Sequence, residues 1–429
     1  MALPYIWNRN TSFSQWNFIS CSEIEEERKE NYITRKRKRV RNYISDDITF
    51  FILSKLPLKS LKRFECVCKS WALLFQNNYF LTMYHNNLMM SSSNCYDDTY
   101  LVLHAEPKND YYISSEFYLL SGERLKNRVK IDWPPPFQEY DSEIFILGSL
   151  SINGILCLKQ KFDPHLVLWN PATCEFKVVP LSPFNSTPPL RTPYYVLHGF
   201  GYDSVTDDYK VIQFVDSLPL AIGDDYFHDR SYETFWEIYS LRSNSWRRLD
   251  LCFQNRYYYT QNRGIGVYTN GVCHWWARTD VSVIYEECLL SFNFSNEVLI
   301  TTPAPLYLDV NSPCFKYVER RLVLLNETVA LISTYLETGT FHISILGELG
   351  VRESWTKILI VEHLPSIGRP IGVGKNSNIL FFQKTDGKLA WVDLSTKMIG
   401  EDLGLEGWLF GCSIGKYKKS FLPIGGMDN

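Results

Sequence analysis

Residues 151–179 read SINGILCLKQKFDPHLVLWNPATCEFKVV: three short apolar runs with polar turns between them. The first runs from Ser151 through Asn153-Gly154 to Leu158. The second, Val167-Leu168-Trp169, enters the turn Asn170-Pro171-Ala172-Thr173, and the third is Glu175 to Val179. Runs this short, rich in branched and aromatic residues and punctuated by Gly, Pro, Asn and Asp, predict β-strands rather than helices. The segment reads as a unit of three strands, each reversing on the one before.

Outward from this unit the pattern recurs. Thr269 to Trp276, Thr328 to Ile332 and Asn378 to Phe382 read as first strands. Trp236 to Trp246, Leu290 to Ser295, Ile343 to Leu346 and Leu389 to Thr396 read as second strands with their turns, and Trp355 to Ile358 as a third. Equivalent points lie about 45 to 70 residues apart, the spacing of a β-propeller blade of the kelch or WD type with uneven loops. Units beginning near residues 100, 149, 199, 266, 326 and 371 predict six blades. The stretch from Trp408 to Leu422 is left to close the ring onto the first blade and remove two open strand edges. A β-sandwich of similar strand number is the alternative, and it needs no such period.

Upstream the period changes. Ile44 to Phe75 reads ISDDITFFILSKLPLKSLKRFECVCKSWALLF. Ser45 is a good N-cap with two aspartates behind it, and Ile48, Phe51, Ile52 and Leu56 recur along one helical face, with Phe50 and Leu53 on another. Leu56-Pro57 ends that helix. Leu58, Leu61 and Phe64 mark a second helix, and Val67, Trp71, Leu74 and Phe75 a third. Three helices of roughly 40 residues are too small to hide this much apolar surface, so a partner surface or the following domain is expected to complete the burial. A self-contained helical bundle is the alternative, and it calls for a further amphipathic helix that the sequence does not offer.

The motif Leu53 to Trp71, LSKLPLKSLKRFECVCKSW, resembles the F-box of plant F-box proteins, with Leu-Pro-Leu-Lys-Ser-Leu and Cys-Val-Cys-Lys-Ser-Trp at the family's spacing. Where that family usually opens with Leu-Pro this chain has Ile44-Ser45, and serine preserves the helix start. Trp169-Asn170-Pro171-Ala172-Thr173, Gly199 to Val211 and Leu346 to Lys357 resemble the F-box-associated interaction domain, whose Asn-Gly-Leu-Leu-Cys-Leu pattern appears as Asn153 to Leu158. The resemblance implies a non-catalytic subunit of a Skp-cullin-F-box (SCF) ubiquitin ligase. Its F-box would dock on a Skp-type adaptor, and through it on cullin, while the β domain captures a protein substrate. The adaptor-facing and core set carried over is Ile48, Ile52, Leu53, Leu56, Pro57, Leu58, Leu61, Val67 and Trp71.

The expected fold class is thus α+β multidomain, a small three-helix F-box followed by an all-β, six-bladed kelch-like propeller. The expected boundaries are a disordered basic tail at 1–43, the F-box with a connecting helix at 44–88, a linker at 89–99 and the propeller at 100–424. With 429 residues, 45% hydrophobic and 15% aromatic, the chain can bury a sizeable core. A net charge of −3 implies no general attraction to nucleic acid or anionic membrane. Eleven scattered cysteines read as reduced thiols, which places the chain in the nucleus and/or cytoplasm. Cys66, Cys68, Cys157 and Cys273 lie in apolar runs and are expected to pack as small hydrophobes. No stretch approaches the roughly 18 apolar residues of a membrane span, and the first 20 residues lack the pattern of a secretory signal.

Candidate chemistry is sparse. Neither paired CxxC units nor close histidine pairs occur, so no metal or cofactor is expected. Walker loops and a Gly-x-Ser-x-Gly elbow are absent too. Asp207-Asp208 reads as a strand-joining turn and His274 as a satisfied buried histidine. Binding is the more concrete expectation. Among the irregular inter-blade segments, Gln254 to Arg263 concentrates tyrosine and arginine, the residues that dominate interface hot spots, and Arg256, Tyr257, Tyr258 and Tyr259 are the candidate substrate-binding residues. The rival reading is a nuclear binding module that uses Arg35 to Arg41, six basic residues in seven, on nucleic acid or as an import address. A propeller hydrolase, the third, requires acids or histidines converging at the centre of the ring.

Overall fold

The computed structural model describes residues 46–56, 58–75, 77, 80, 99–107, 115–121, 127–137, 143–160, 163, 165–184, 191–219, 234–251, 257–258, 266–279, 286–305, 318–362, 367–401, 409–420 and 424. The chain divides into two compact units, Met1–Ser91 and Ser92–Asn429. Ser45, Pro57, the tail and most of the expected connecting helix lie outside the described residues.

In the first unit α1 (Asp46–Leu53), α2 (Leu58–Glu65) and α3 (Lys69–Leu74) follow one another closely. Leu53, Leu61 and Phe80 are buried, and Phe50, Leu56, Phe64, Trp71, Leu74 and Phe75 pack around them half-buried. Phe50 meets Phe80 edge-on at 5.1 Å and Phe64 meets Trp71 at 5.5 Å, an arrangement aromatic quadrupoles favour.

The second unit is all β among its described residues, apart from two short 3-10 turns. It opens with β1 (Thr99–Pro107), β2 (Glu116–Ser121) and β3 (Asn127–Ile131). Next come β4 (Ile144–Ile152), β5 (Ile155–Gln160), β6 (Leu166–Asn170) and β7 (Glu175–Val179), then β8 (Arg191–Asp203), β9 (Asp208–Pro219), β10 (Phe235–Ser240) and β11 (Ser245–Leu249). They are followed by β12 (Tyr257–Tyr258), β13 (Val267–Thr269), β14 (Val272–Thr279), β15 (Glu287–Asn293) and β16 (Leu299–Pro303). The chain ends with β17 (Val318–Leu325), β18 (Thr328–Tyr335), β19 (Thr340–Leu346), β20 (Trp355–Val361), β21 (Ile367–Val373), β22 (Ile379–Lys384), β23 (Leu389–Asp393), β24 (Ile399–Glu401) and β25 (Leu409–Lys418). Antiparallel sheets in chain order are formed by β4 to β7, β8 to β11 and β17 to β20; in a fourth sheet β14 pairs with both β12 and β13 on one side and with β15, then β16, on the other, and β25 pairs along the whole of β1, so the C-terminal strand closes onto the first, as expected. The sheet β21 to β24 meets the sheet of β25 and β1 to β3 through the single parallel pair Gly372 and Ile414.

The repeating unit differs from the three-strand reading. What reads as one strand from Ser151 to Leu158 is the end of β4, a two-residue turn and β5, with Ile152 opposite Ile155. Asn153 and Gly154 take φ of +50° and +80°, the two positive values that a two-residue I′ hairpin turn requires. Asn270-Gly271 and Asn326-Glu327 repeat the device between β13 and β14 and between β17 and β18. Thr269 to Trp276 is therefore also a hairpin. Each group carries an additional leading strand, and these leading strands touch in succession: β25 to β4, β4 to β8, β8 to β13, β13 to β17, β17 to β21 and β21 to β25.

The core is correspondingly distributed. Each apolar cluster lies between two consecutive sheets: Phe200, Val211 and Tyr239 pack on Ile155, Cys157 and Leu168, and Phe341, Ile343 and Val361 on Leu380, Phe382 and Val392. Each fully buried side chain of this kind contributes about 1.5–3 kcal/mol of transfer free energy. The two-residue turns gather at one end of the leading strands, whereas residues 220–234 and 304–317 connect strands at the other.

Candidate functional site

Ile48, Phe51 and Ile52 sit at i, i+3 and i+4 of α1 and are 54%, 56% and 47% exposed, while Leu53 on the same helix is buried. That spacing sets the three on one helical face. Lys55 Nζ lies 3.8 Å from the centre of the Phe51 ring and leaves the stripe otherwise apolar. Val67 and Leu73 are exposed as well. Of the expected adaptor set, Ile48, Ile52 and Val67 are thus surface residues. Leu53 and Leu61 belong to the core, and Leu56 and Trp71 are half-buried against it. Leu58 opens α2, with its side chain, like Pro57, outside the described residues. Phe51 and Leu73 were not in that set. The helical row already contains Phe51, but nothing in the local pattern marks Leu73 as outward-facing.

Cys66 and Cys68 are exposed, not packed as expected, whereas Cys157 and Cys273 are buried. The run CVC is apolar in composition, but in the first unit it forms the connection from α2 to α3, where few neighbours cover it.

In the β unit, Tyr257 and Tyr258 form β12, opposite Thr279 and Arg278 on β14 and away from the Asn270-Gly271 turn. They stand at the end that carries the longer connections. Arg256 and Tyr259, like the basic run Arg35 to Arg41, fall outside the described residues.

Several buried polar groups in this unit tie strands and turns together. Asp203, at the end of β8, is fully buried and accepts from Lys210 Nζ at 2.7 Å, Thr206 Oγ1 at 2.6 Å and Ser295 Oγ at 2.6 Å. Lys210 Nζ also donates to the Phe294 carbonyl at 3.2 Å, so the cluster ties the β8–β9 turn to the turn after β15. Although burial disfavours the charge, these donors hold the Asp203 carboxyl far below the usual carboxylate range. Asp207, by contrast, sits in the turn with positive φ, and Asp208 accepts from Ser240 Oγ and the Arg242 amide. Asp207 lies in the turn, as the sequence predicts, whereas Asp208 opens β9 and anchors it to the turn after β10. His274 is buried with Nδ1 2.9 Å from Ser291 Oγ, and burial lowers its pKa to about 4. Glu237 is buried between Ser182 and Gln213, and burial pushes its carboxyl up. Where leading strands cross, Ser149 Oγ donates to the Tyr268 carbonyl at 3.1 Å and accepts from its amide at 2.6 Å, and Thr269 Oγ1 donates to the Glu327 carbonyl. Among the described residues there is no group of three or more His, Cys, Asp or Glu able to hold a metal, and no helix long and apolar enough to cross a membrane.

Two family models match this arrangement. The F-box domain covers residues 44–83, and the F-box associated beta propeller domain covers residues 106–406. The chain belongs to the F-box-associated propeller family. Its relatives include F-box protein CPR1 of Arabidopsis thaliana, 26% identical over 259 residues that make up 58% of this chain and 61% of CPR1. F-box protein At4g22390 of the same plant is 28% identical over 300 residues, 66% of this chain and 71% of the relative. F-box/kelch-repeat protein At3g23880 is 26% identical over 342 residues, 77% of this chain and 82% of the relative. The aligned region spans 61% of CPR1, less than two thirds of that relative's length.

Proposed function

We propose that this F-box protein is the substrate-recognition subunit of an SCF-type ubiquitin ligase. The observation that carries the reading is the outward stripe of Ile48, Phe51 and Ile52 on a helix whose unit buries, of its described apolar residues, only Leu53, Leu61 and Phe80. A stripe of this composition stays monomeric and soluble poorly unless another surface covers it. A Skp-type adaptor, and cullin through it, is the occupant the F-box implies. Ile48, Ile52, Val67, Pro57 and Leu58 are the contact residues of this reading, and Leu53, Leu56, Leu61 and Trp71 hold the helices that present it.

The β unit, read as a six-bladed propeller within residues 100–424, holds a protein substrate through the end with the longer connections. Arg256, Tyr257, Tyr258 and Tyr259 are candidate contacts there. The chain contributes no catalytic group. Its work is proximity, raising the effective concentration of a substrate lysine at the ubiquitin thioester carried by its partners.

The test is capture of a recombinant Skp-type adaptor by the full chain and by Ile48→Asp/Ile52→Asp. Both positions are exposed, so the fold survives. The expected result is at least a tenfold loss of adaptor affinity with β-unit ligands retained, and equal capture by both chains would reject the reading.

A further inference from the structure

The strand that closes the β unit is weakly held at one edge. β25 pairs with β1 along its length, Thr99 opposite Lys418 and Tyr100 opposite Tyr417, but its other edge meets β21 through Gly372 and Ile414 alone. Pairing β1 with β25 also closes the longest loop in the unit, so it must offset the largest closure entropy. A strand held in this way opens first unless something past its end secures it. The segment after Lys418 runs on to the neighbouring sheets. Lys419 Nζ lies 4.5 Å from the centre of the Tyr100 ring on β1. The Ser420 carbonyl accepts from Asn170 Nδ2 at 2.9 Å, and Asn170, the last residue of β6, is fully buried. The same segment packs on the Asn153-Gly154 turn so closely that a Cβ on Gly154 would meet the Lys418 carbonyl at 2.8 Å and the Ser420 Cβ at 2.6 Å. Ile424 is then buried in the seam between the β4–β7 and β8–β11 sheets, with Ile155, Leu168, Phe200 and Tyr239.

We propose that Lys419, Ser420 and Ile424 form a strap that latches the β unit shut. β25 leaves β1 only after the Ser420 carbonyl lets go of Asn170 and Ile424 comes out of its seam. The sheets β4 to β7 and β8 to β11 are each built from consecutive strands and do not need β25 to form, so they give the strap a fixed anchor. The strap thereby transfers the fastening from the pair that is hardest to close to two sheets that close locally. Each of its three ties is made to a different element, β1, the end of β6 and the seam beyond, so lifting the strap undoes them in order from Ile424 inward. Trimming the segment back to Ser420 removes the isoleucine and opens the unit at β1 and β25 alone, with the other sheets intact.

The experiment is amide hydrogen exchange, read strand by strand, on the full chain, on Ile424→Ala and on a chain lacking residues 421–429. The expected outcome is exchange at least tenfold faster in β1 and β25, with β14 to β19 unchanged. Gly154→Ala presses on the strap from the turn beneath it and keeps Ile424, so it separates strap release from the loss of a buried side chain. It should speed the same two strands, whereas Gly271→Ala, whose Cβ meets nothing within 4 Å, should leave them as they are. Exchange that rises evenly through all the sheets, or that rises in β5 and β9 around the emptied seam while β1 and β25 keep their protection, overturns the proposal, as does no change in any of the variants.

Discussion

In the first unit Leu53, Leu61 and Phe80 are the buried apolar residues among those described, while Ile48, Phe51, Ile52, Val67 and Leu73 face outward. In the β unit Trp275, Phe292, Leu331 and Phe382 disappear between consecutive sheets, and every pair of neighbouring sheets has its own apolar seam. The contrast separates two uses of apolar surface. Where seams are filled on both sides, a large side chain holds the fold. Where a short helix has one covered face and one bare face, the bare one is there to be covered by something else. Substitutions at equivalent chemistry should therefore have unequal consequences in the two units.

Trp275→Ala should break the comparison's β side most severely. The indole is fully buried and its Nε1 donates to the His198 carbonyl at 2.8 Å, so truncation should cost about 3–5 kcal/mol in denaturant unfolding. Ile52→Ala, on the bare face, should change stability by less than about 0.5 kcal/mol in the same assay. Asp203→Asn comes next, because it leaves Lys210 buried without its counter-charge, at a cost of about 3 kcal/mol.

The pH dependence follows from the same groups. Asp203 binds its proton less readily folded than unfolded, so its stabilisation is complete above the unfolded value of about 4 and is lost as the pH falls below it. His274, held neutral by burial with a folded pKa of about 4, acts in a higher window. The unfolded chain takes up the proton first, near pH 6.5, so stability declines as the pH falls from about 6.5 toward 4. Thermal unfolding between pH 7 and 4 should show that decline, and His274→Gln should reduce it, with buried His198, whose pKa burial also lowers, accounting for part of what remains.

The smallest effects sharpen the comparison within the β unit. Gly154 and Gly271 share a positive φ, but a Cβ on Gly154 would meet the Lys418 carbonyl at 2.8 Å and the Ser420 Cβ at 2.6 Å, whereas one on Gly271 meets nothing within 4 Å. Gly271→Ala should cost only the left-handed backbone penalty, about 1 kcal/mol, and Gly154→Ala visibly more, because it also presses on the segment that follows the closing strand β25.

Much of this was legible in residue order. The row Ile48, Phe51, Ile52 and Leu56 marks an apolar helical face, although its outward part was not legible, since Leu56 of the same row packs against the core, and the short runs with Gly, Pro and Asn between them mark the β class, the periodicity and the closing strand. The leading strands were not legible. β17 carries Glu319, Arg320 and Arg321, and β21 carries Gly368, Pro370 and Gly372, which read as breakers. The structure gives the reason for Gly372: a Cβ there would sit 1.9 Å from the Ile414 carbonyl oxygen, so glycine marks a close backbone approach between neighbouring sheets. Arg320 is tolerated inside because Glu287 on β15 accepts from its Nε at 3.2 Å. Asn153-Gly154 was read as the interior of a strand although Asn-Gly is the strongest short hairpin signal. The exposure of Cys66 and Cys68 was hidden because composition alone does not tell which side of a short connection faces out.

Amide hydrogen exchange of the full chain, with and without a saturating Skp-type adaptor, tests the central claim most directly. The account predicts slowed exchange confined to α1 and to residues 66–75, with the strands β4 to β24 unchanged. Protection that appears on the β strands and leaves α1 untouched, or no protection anywhere at saturation, would contradict it.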